Sequence, residues 1–290
     1  MEQYLLNTIN TRISETTQQP FCGRLETAVS GGCINNAFQL KDPQRGQKFF
    51  VKTNGANLLH MFEAEALGLN AIAQTQTISV PKVVCWGKDH GFSFLVLQWQ
   101  CMRAGGQWEE MGRQLAQLHL VNVGSKFGWE RHNYIGATVQ VNRLESDWIT
   151  FFCKHRLGYQ VQLAEQKGVR FPQFPSLLEA LPDLLKGHQP QPSLVHGDLW
   201  SGNAAFTHQG HPIIFDPAVY FGDRETDLAM TELFGGFPRS FYQAYEAQYP
   251  LTPGYIGRIK LYNLYHILNH FNLFGGSYQH QAIAMMQELL

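Results

Sequence analysis

Charged residues are scarce in this chain. Asp, Glu, Lys and Arg make up 16% of its 290 residues, whereas an average soluble protein has about 25%. The 22 basic and 23 acidic residues nearly cancel and leave a net charge of -1. Proteins that bind nucleic acid or an anionic membrane surface usually carry a basic excess. We therefore expect neither nucleic acid nor a membrane as a partner.

Long apolar runs and paired cysteines are also missing. The longest apolar stretch lies around residues 92–97, far short of the about 20 residues that a membrane-spanning helix needs. The first ten residues have an acid where a signal peptide would be basic, and no apolar segment follows. None of the five cysteines forms a Cys-x-x-Cys pair, which excludes a zinc ribbon and a thioredoxin-type motif. These absences predict a cytoplasmic protein with free thiols.

Apolar side chains are plentiful, and their periodicity predicts two different parts of the chain. Hydrophobic residues make up 44%, and 20 Phe, 11 Tyr and 6 Trp argue against disorder. The first part predicts strands over 24–29, 37–40, 48–52, 80–85 and 92–97, with helices over 3–13 and 58–74. The second part predicts strand-like pieces over 194–216 and helices over 108–121, 147–167, 175–186 and from 227 onward, broken near 235, 250 and 275. We expect an α+β protein of two lobes, a β lobe with one main helix over 1–100 and a mostly α-helical lobe over 101–290.

The segment Val195-His-Gly-Asp-Leu-Trp-Ser-Gly-Asn203 carries the clearest functional signal. His196 stands two residues before Asp198, and Asn203 follows Asp198 by five residues, which matches the catalytic loop of kinases. That chemistry needs one carboxylate to accept a hydroxyl proton and a nearby amide oxygen to hold a metal on the phosphate side. The alternative is a surface loop, in which Asp and Asn merely favour turns.

The residues after this loop are expected to return the chain to it. Residues 204–215 predict a tight hairpin with its turn at Gln209-Gly210. The hairpin would carry Asp216 back beside Asn203, as a second metal ligand in the place of the Asp of the kinase Asp-Phe-Gly motif. Here Pro217-Ala218 follow that Asp. A hairpin that delivers a second acid weakens the surface-loop alternative.

Two charged residues of the first part should complete such a site. Lys52, at the end of the strand 48–52, would reach the nucleotide phosphates, and Glu65 on the next helix would orient it. Glu63 faces a different side of that helix and is the less favoured candidate. Upstream, the turn residues Gly31, Gly32 and Cys33 would cover the phosphates with backbone N–H groups. This turn matches Gly-x-Gly-x-x-Gly poorly, so an ordinary hairpin turn stays open as the alternative.

Acidic residues concentrate after the predicted hairpin. Five of the 23 acids fall within positions 216–232, and we interpret this concentration as one that holds Mg²⁺ against nucleotide phosphates. Within it, we expect Asp227 to brace the backbone of the catalytic loop and to cap a helix. Glu225 is left open between a substrate contact and a structural role.

The 12 histidines do not predict a metallohydrolase. They lack the His-Glu-x-x-His spacing and any other clustered ligand spacing of such enzymes. We expect loop and helix-packing roles for His208, His211, His266 and His270.

In these motifs the chain resembles the fructosamine kinase (ketosamine-3-kinase) family, within the aminoglycoside phosphotransferase and protein-kinase-like superfamily. His-Gly-Asp with a downstream Asp is shared by many small-molecule kinases. Leu199-Trp-Ser-Gly-Asn203, followed by Asp216-Pro-Ala and by Glu225-Thr-Asp-Leu-Ala, is narrower. The match runs in the same order from about residue 20 to the C-terminus. It also rests on Gly31–Ile34, Phe50–Lys52, Met61–Glu65 and Asp147-Trp148 ahead of Arg156.

The resemblance implies a protein-kinase-like fold and a defined reaction. The family phosphorylates the 3-hydroxyl of ketosamines with ATP and Mg²⁺. These are fructosamines, ribulosamines or erythrulosamines, free or on protein lysines. The 3-phosphate makes the adduct decompose, so the implied role is deglycation repair. At Asp223 relatives often carry His, and which ketosamine is preferred stays open.

The resemblance also assigns roles to single residues. Asp198 would be the catalytic base, Asn203 and Asp216 the Mg²⁺ ligands, and Lys52 the phosphate contact with Glu65 as its partner. Residues 98–102 would form the hinge beside adenine, with Gln98, Gln100 and Met102 as candidate contacts. The candidates for a substrate or structural role are His196, Trp200, Glu225 and Asp227.

Other functions and assemblies stay open. An aminoglycoside or choline-like alcohol would need an acidic, cation-binding pocket. A catalytically silent nucleotide-binding module would typically lack one of the four residues Lys52, Asp198, Asn203 and Asp216. We expect a monomer, or a redox-linked homodimer if Cys33 forms a reactive thiolate in the phosphate-covering turn; an inert Cys33 is the alternative.

Overall fold

The computed structural model describes residues 1–28, 34–121 and 124–290. Its N-terminal part contains a five-stranded sheet in the order β1-β2-β3-β5-β4, and all neighbouring strands are antiparallel. The strands are β1 (Arg24–Ala28), β2 (Asn36–Lys41), β3 (Lys48–Gly55), β4 (Val83–Asp89) and β5 (Phe92–Gln98).

A helix covers each face of this sheet. α1 (Gln3–Thr17) precedes β1, and α2 (Leu59–Gln74) lies between β3 and β4. Successive residues of a strand point to opposite faces, so β5 contributes to two cores. Phe94 packs in the core shared with α1, and Leu95 packs in the core shared with α2. This packing fixes α2 against the sheet.

Two strands differ from the sequence predictions by more than one residue at an end. β3 continues past Lys52 to Gly55, because residues 53–55 pair with β5. β4 begins at Val83 rather than at residue 80, since Pro81 has no N–H to donate to a ladder. Lys52 therefore lies inside the sheet and not at the end of a strand.

The C-terminal part is mostly helical. The predicted helix over 147–167 is one continuous run whose centre is a π-helical turn (Cys153–Gly158). The predicted breaks near 235, 250 and 275 are confirmed by the gaps between helices. The helices are α3 (Trp108–Val121), α4 (Trp148–Phe152), α5 (Tyr159–Gln166), α6 (Phe174–Leu184), α7 (Glu225–Leu233), α8 (Arg239–Gln248), α9 (Tyr255–Phe274) and α10 (Tyr278–Leu289).

Short strands connect these helices. β10 pairs with β11 and with β6, β9 pairs with β12, and β7 pairs with β8. No sequence pattern predicted the β7–β8 hairpin. The strands are β6 (Met102–Arg103), β7 (Asn133–Ile135), β8 (Thr138–Gln140), β9 (Ser193–Val195), β10 (Ala204–Thr207), β11 (Pro212–Ile214) and β12 (Tyr220–Gly222).

The expected fold class is confirmed: an antiparallel sheet forms the N-terminal part, and packed helices form the rest. The division that we predict between residues 100 and 101 stays a prediction, although β6 already pairs with β10 of the helical part. Within the described ranges, none of the helices is both long enough and apolar enough to cross a membrane.

Candidate active site

The predicted catalytic loop follows β9 and is fixed by its backbone. The N–H groups of His196 and Gly197 donate to the two carboxylate oxygens of Asp227, at 2.6 and 2.8 Å. Gly197 has a φ of +82°, and a Cβ there would lie 2.1 Å from the Ala218 carbonyl oxygen. Only glycine fits this close approach. Asp227 lies in the first turn of α7 and is buried.

His196 is enclosed within this loop. Its Nε2 lies 3.0 Å from the Phe215 carbonyl oxygen, which can only accept, and its Nδ1 accepts from the Asp198 N–H at 3.3 Å. These partners define the neutral tautomer with its proton on Nε2. Burial lowers the pKa of His196, against the opposing effect of Asp227. His196 is thus a neutral link between the loop and Phe215, the residue just before Asp216.

The predicted hairpin is confirmed and returns the chain to the loop. β10 and β11 pair from Ala204–Ile214 to Phe206–Pro212, and the Phe215 N–H donates to the Asn203 carbonyl at 3.0 Å. Asp216 follows with a φ of +56°, which non-glycine residues seldom adopt. The hairpin therefore places Asp216 beside the catalytic loop.

Lys52 joins the sheet and helix α2 to Asp216. Its Nζ lies 2.8 Å from Glu65 Oε1 and 2.6 Å from Asp216 Oδ1. Burial alone would lower the pKa of Lys52, but the two carboxylates outweigh it and the net shift is upward. Lys52 is therefore a permanent cation. Glu63 instead lies 3.6 Å from Arg131.

Asp198 is oriented by Asn203. Asn203 Nδ2 donates to the Asp198 carbonyl at 2.8 Å and to Asp198 Oδ2 at 3.1 Å. Burial and the charge of Asp216 together raise the pKa of Asp198 to about 7, against the opposing effect of the Asn203 bond. A carboxyl group with a pKa near neutrality is suited to receive a proton and release it again.

These side chains meet in one cavity of about 340 Å³ between the sheet and the helices. Among the described lining residues, the only carboxylates are Glu65, Asp198 and Asp216. Apart from Lys52, the rest of the lining is aromatic, aliphatic and amide in character. It includes Trp200 from the catalytic loop, Tyr134 and Gly136 from the β7–β8 hairpin, and Asn269, His270, Leu273 and Phe274 from α9.

The donor set of this cavity fits a magnesium ion. Asn203 uses its Nδ2 for Asp198, and Asp216 uses Oδ1 for Lys52. Asn203 Oδ1 and Asp216 Oδ2 have no hydrogen-bond partner in the part of the chain that the structure describes. Mg²⁺ prefers oxygen ligands of this kind, with one or two carboxylates supplied by the protein.

Other predicted contacts lie elsewhere. Gln98 ends β5, where its N–H donates to the Lys82 carbonyl at 2.8 Å, and Met102 belongs to β6. Neither they nor Gln100 line the cavity, and their adenine contacts stay a prediction. Gly31, Gly32 and Cys33 lie outside the described residues.

The interpretation of the acidic concentration is wrong for four of its five members. Of the acids within 216–232, only Asp216 lines the cavity. Glu225 is fully buried against Arg258, at 2.7 and 2.8 Å. Asp223 accepts from His188 at 2.6 Å, and Glu232 accepts from a tyrosine hydroxyl at 2.8 Å. Asp227 holds the catalytic loop. These acids satisfy partners from distant segments, which local density in the sequence cannot reveal.

Sequence reasoning missed most of the lining opposite the carboxylates. His270 packs against Phe234, with ring centroids 5.0 Å apart, as predicted for a packing residue. It also lines the cavity, which the sequence did not predict. Tyr134 packs on His60 of α2 at 5.1 Å. The turn at Gly136, with a φ of +61°, is the one local signal that could have indicated the β7–β8 hairpin.

Comparison with known proteins agrees with this geometry. The fructosamine kinase family model matches residues 5–290. A "Probable ketoamine kinase" of Synechocystis sp. is 52% identical over 285 residues, which cover 98% of this chain and 96% of that protein. The chloroplastic protein-ribulosamine 3-kinase of Arabidopsis thaliana is 40% identical over 269 residues, 91% of this chain and 82% of that protein.

A solved structure shows the same likeness in three dimensions. It comes from Haemophilus somnus 129PT and is named as a candidate fructosamine-3-kinase. It superimposes with a TM-score of 0.90 at 31% identity and covers 97% of this chain and 96% of that chain. The chain belongs to the fructosamine kinase family and is a phosphotransferase that acts on a hydroxyl group.

Proposed function

We propose that this chain transfers the γ-phosphoryl group of ATP to the 3-hydroxyl of ketosamines, and that this transfer serves deglycation. The observation that carries the proposal is the meeting of Asp198 with the Lys52–Glu65–Asp216 group in one cavity. The names of the relatives support the substrate class, since they are a ketoamine kinase and a protein-ribulosamine 3-kinase.

Each charged residue of the cavity has a role in this transfer. Asp198 accepts the proton of the acceptor hydroxyl, and Asn203 holds its carboxylate in place. Lys52, oriented by Glu65, contacts the nucleotide phosphates. Asn203 and Asp216 hold Mg²⁺, which supplies neutralisation of phosphate charge. Because phosphoryl transfer has a loose transition state, most of the acceleration comes from positioning and charge neutralisation.

The rest of the lining suits a polyol with a single amine better than a polycation. An aminoglycoside carries several ammonium groups and needs carboxylates to pair with them. All three carboxylates of the described lining are already used by Lys52, the metal site or the base function. Trp200 and Tyr134 offer flat apolar faces for a sugar chain.

ADP release measured with several acceptors tests this proposal. We expect turnover with ribulosyllysine, erythrulosyllysine or fructosyllysine, and with a ribosylated protein if bound adducts are reached. Kanamycin and choline are the matched alternatives, and both should give only background ADP release. Activity on kanamycin or choline, with none on the three ketosamines, would replace the proposed substrate class. Inactivity on all five acceptors would favour a silent nucleotide-binding module.

A further inference from the structure

The segment just after Asp216 is held by the β7–β8 hairpin. Asn133 Nδ2 donates to the Val219 carbonyl at 2.7 Å, and Gln140 Nε2 donates to the Ala218 carbonyl at 2.9 Å. Both amide side chains are buried, at 4% and 1% exposure. Two consecutive carbonyls are thus fixed by two amides of one hairpin. This hairpin also contributes Tyr134 to the wall of the cavity.

The orientation of these amides is set from outside the hairpin. Arg156 can only donate, and its Nη2 lies 2.8 Å from Asn142 Oδ1. Asn142 must therefore turn its Nδ2 to Asn133 Oδ1, at 2.8 Å. Because Asn133 Oδ1 accepts this bond, Asn133 Nδ2 faces the other way and donates to the Val219 carbonyl. Arg156 is itself immobilised, since it is fully buried with its guanidinium 3.9 Å from the Tyr220 ring centroid.

Gln140 is oriented in the same way from helix α9. The Tyr265 hydroxyl donates to Gln140 Oε1 at 2.8 Å, so Gln140 Nε2 faces Asn133 Oδ1 at 2.8 Å and the Ala218 carbonyl. The Ala218 N–H donates to the His196 carbonyl at 2.8 Å. The main chain of Ala218 is therefore bonded both to the hairpin, through its carbonyl, and to the catalytic loop, through its N–H.

This fixation bears directly on Asp216. Its left-handed backbone, with a φ of +56°, is costly for a residue with a Cβ and persists only where the surroundings impose it. The bonds to the following carbonyls supply that constraint. We propose that Gln140 is a positioning residue for phosphoryl transfer, which keeps Asp216 at Lys52 through the Ala218 carbonyl. The proposal rests on the metal role of Asp216 in the proposed function, but not on the ketosamine as substrate.

The test compares two buried amides replaced by leucine. Gln140→Leu removes the donor to Ala218. Asn272→Leu is the matched control, since Asn272 is a buried amide of α9 that donates to Gln160 at 2.8 Å and makes no bond to residues 216–219. The readouts are urea unfolding and the Mg²⁺ concentration that half-saturates binding of the non-hydrolysable analogue AMP-PNP, measured by calorimetry. The second readout needs no acceptor.

We expect both variants to lose stability, but only Gln140→Leu to change the metal dependence. Removal of a residue that orients a metal ligand typically costs about 10–100-fold in metal affinity or activity. Gln140→Leu should therefore raise the half-saturating Mg²⁺ concentration at least about tenfold and lower kcat more than it changes the acceptor KM. Asn272→Leu should stay within twofold of wild type in both the half-saturating Mg²⁺ concentration and kcat.

Equal Mg²⁺ dependence in wild type and Gln140→Leu would overturn the proposal and leave the hairpin a merely structural element. If Gln140→Leu does not fold, Tyr265→Phe tests the same chain of bonds with a smaller change. It should raise the half-saturating Mg²⁺ concentration about threefold, because Gln140 loses the bond that orients it; no shift would overturn the proposal. A wild-type protein that shows this Mg²⁺ dependence and yet phosphorylates no ketosamine would refute the substrate class alone.

Discussion

Two groups of charged side chains contain acids that lie fewer than ten positions apart in the sequence, and these acids have different partners. The cleft cluster comprises Lys52, Glu65, Asp198 and Asp216, and the α7–α9 cluster comprises His188, Asp223, Glu225 and Arg258. The cleft cluster has three carboxylates and one ammonium group, which pairs with Glu65 and Asp216, and the Asp216 side chain is 42% exposed. In the α7–α9 cluster, two carboxylates face a guanidinium and an imidazole, and all four side chains are at most 6% exposed.

The comparison shows that the partners of the carboxylates, rather than the density of carboxylates in the sequence, distinguish the cleft cluster from the α7–α9 cluster. The α7–α9 cluster is complete within the chain, since each carboxylate has a basic or hydroxyl partner, such as Tyr262 on Asp223 at 2.5 Å. The cleft cluster carries excess negative charge beside a cavity, which a bound metal ion would balance. We expect substitutions in the cleft cluster to change activity and substitutions in the α7–α9 cluster to change stability.

The largest expected effect is the loss of turnover when Asp216 of the cleft cluster is replaced. Asp216→Ala removes a carboxylate with one oxygen free for a metal, and turnover should fall by roughly 10³-fold or more, as for other groups that stabilise charge in the transition state. The unfolding free energy should change little, because the side chain is partly exposed. Steady-state ADP release and urea unfolding check both expectations. Turnover within a few-fold of wild type would remove Asp216 from the site.

At Glu225, in the α7–α9 cluster, we expect a loss of stability and little change in kcat. Glu225→Gln leaves the Arg258 guanidinium buried without a countercharge, which typically destabilises a protein by about 3–5 kcal/mol. The folded fraction should keep a kcat close to wild type. Urea unfolding measures the loss, and Glu179→Gln on the exposed face of α6 is the control that should change nothing. A stable Glu225→Gln protein with greatly reduced kcat would place Glu225 in the site after all.

A matched pair on α2 sharpens the assignment within the cleft cluster. Glu65→Gln weakens the hold on Lys52, and kcat/KM for ATP should fall about tenfold, as expected for the loss of a charge-assisted bond. Glu63→Gln, two positions away, breaks only the Arg131 pair near the surface, and kcat/KM should stay within twofold. Equal losses in both variants would mean that α2 as a whole, and not Glu65, holds Lys52.

The smallest effect concerns acid stability. Burial lowers the pKa of His266 to about 3, whereas in the unfolded chain an exposed histidine has a pKa of about 6.5. Below pH 6.5 the unfolded chain binds a proton that the folded chain does not, so the stability that neutral His266 provides at neutral pH is lost as pH falls. The loss reaches about 2 kcal/mol at pH 5.

His266→Phe tests this linkage. The variant should show a loss of stability between pH 7 and pH 5 that is smaller than the wild-type loss by about 2 kcal/mol in urea unfolding. His280→Phe, a substitution of an exposed histidine on α10, should leave the wild-type pH dependence unchanged. The same loss in wild type and His266→Phe would contradict the burial argument.

The sequence predicted the parts of the site that local spacing encodes. Asp198 and Asn203 are five residues apart, and a hairpin of short strands brings Asp216 to them, so turn chemistry and strand alternation suffice. Lys52 and Glu65 follow from their order on a strand and the next helix. The fold class follows from the change of periodicity near residue 98.

The remainder depends on contacts between distant segments. Tyr265 meets Gln140 across 125 positions, and Glu225 meets Arg258 across 33. Neither pair leaves a periodic signal, because each position satisfies a single polar partner rather than a face. For the same reason the five acids of 216–232 looked like one site in the sequence, whereas four of them proved to serve separate partners outside the cavity.

The most direct test of the central claim follows the phosphoryl group itself. Wild-type protein and Asp198→Ala are mixed with ATP, Mg²⁺ and ribulosyllysine, and the position of the phosphoryl group on the product is determined by phosphorus NMR. We expect wild type to place one phosphoryl group on the 3-hydroxyl, and Asp198→Ala to bind ATP normally but transfer none. Transfer by Asp198→Ala within a few-fold of the wild-type rate, or a wild-type product phosphorylated elsewhere, would contradict the account.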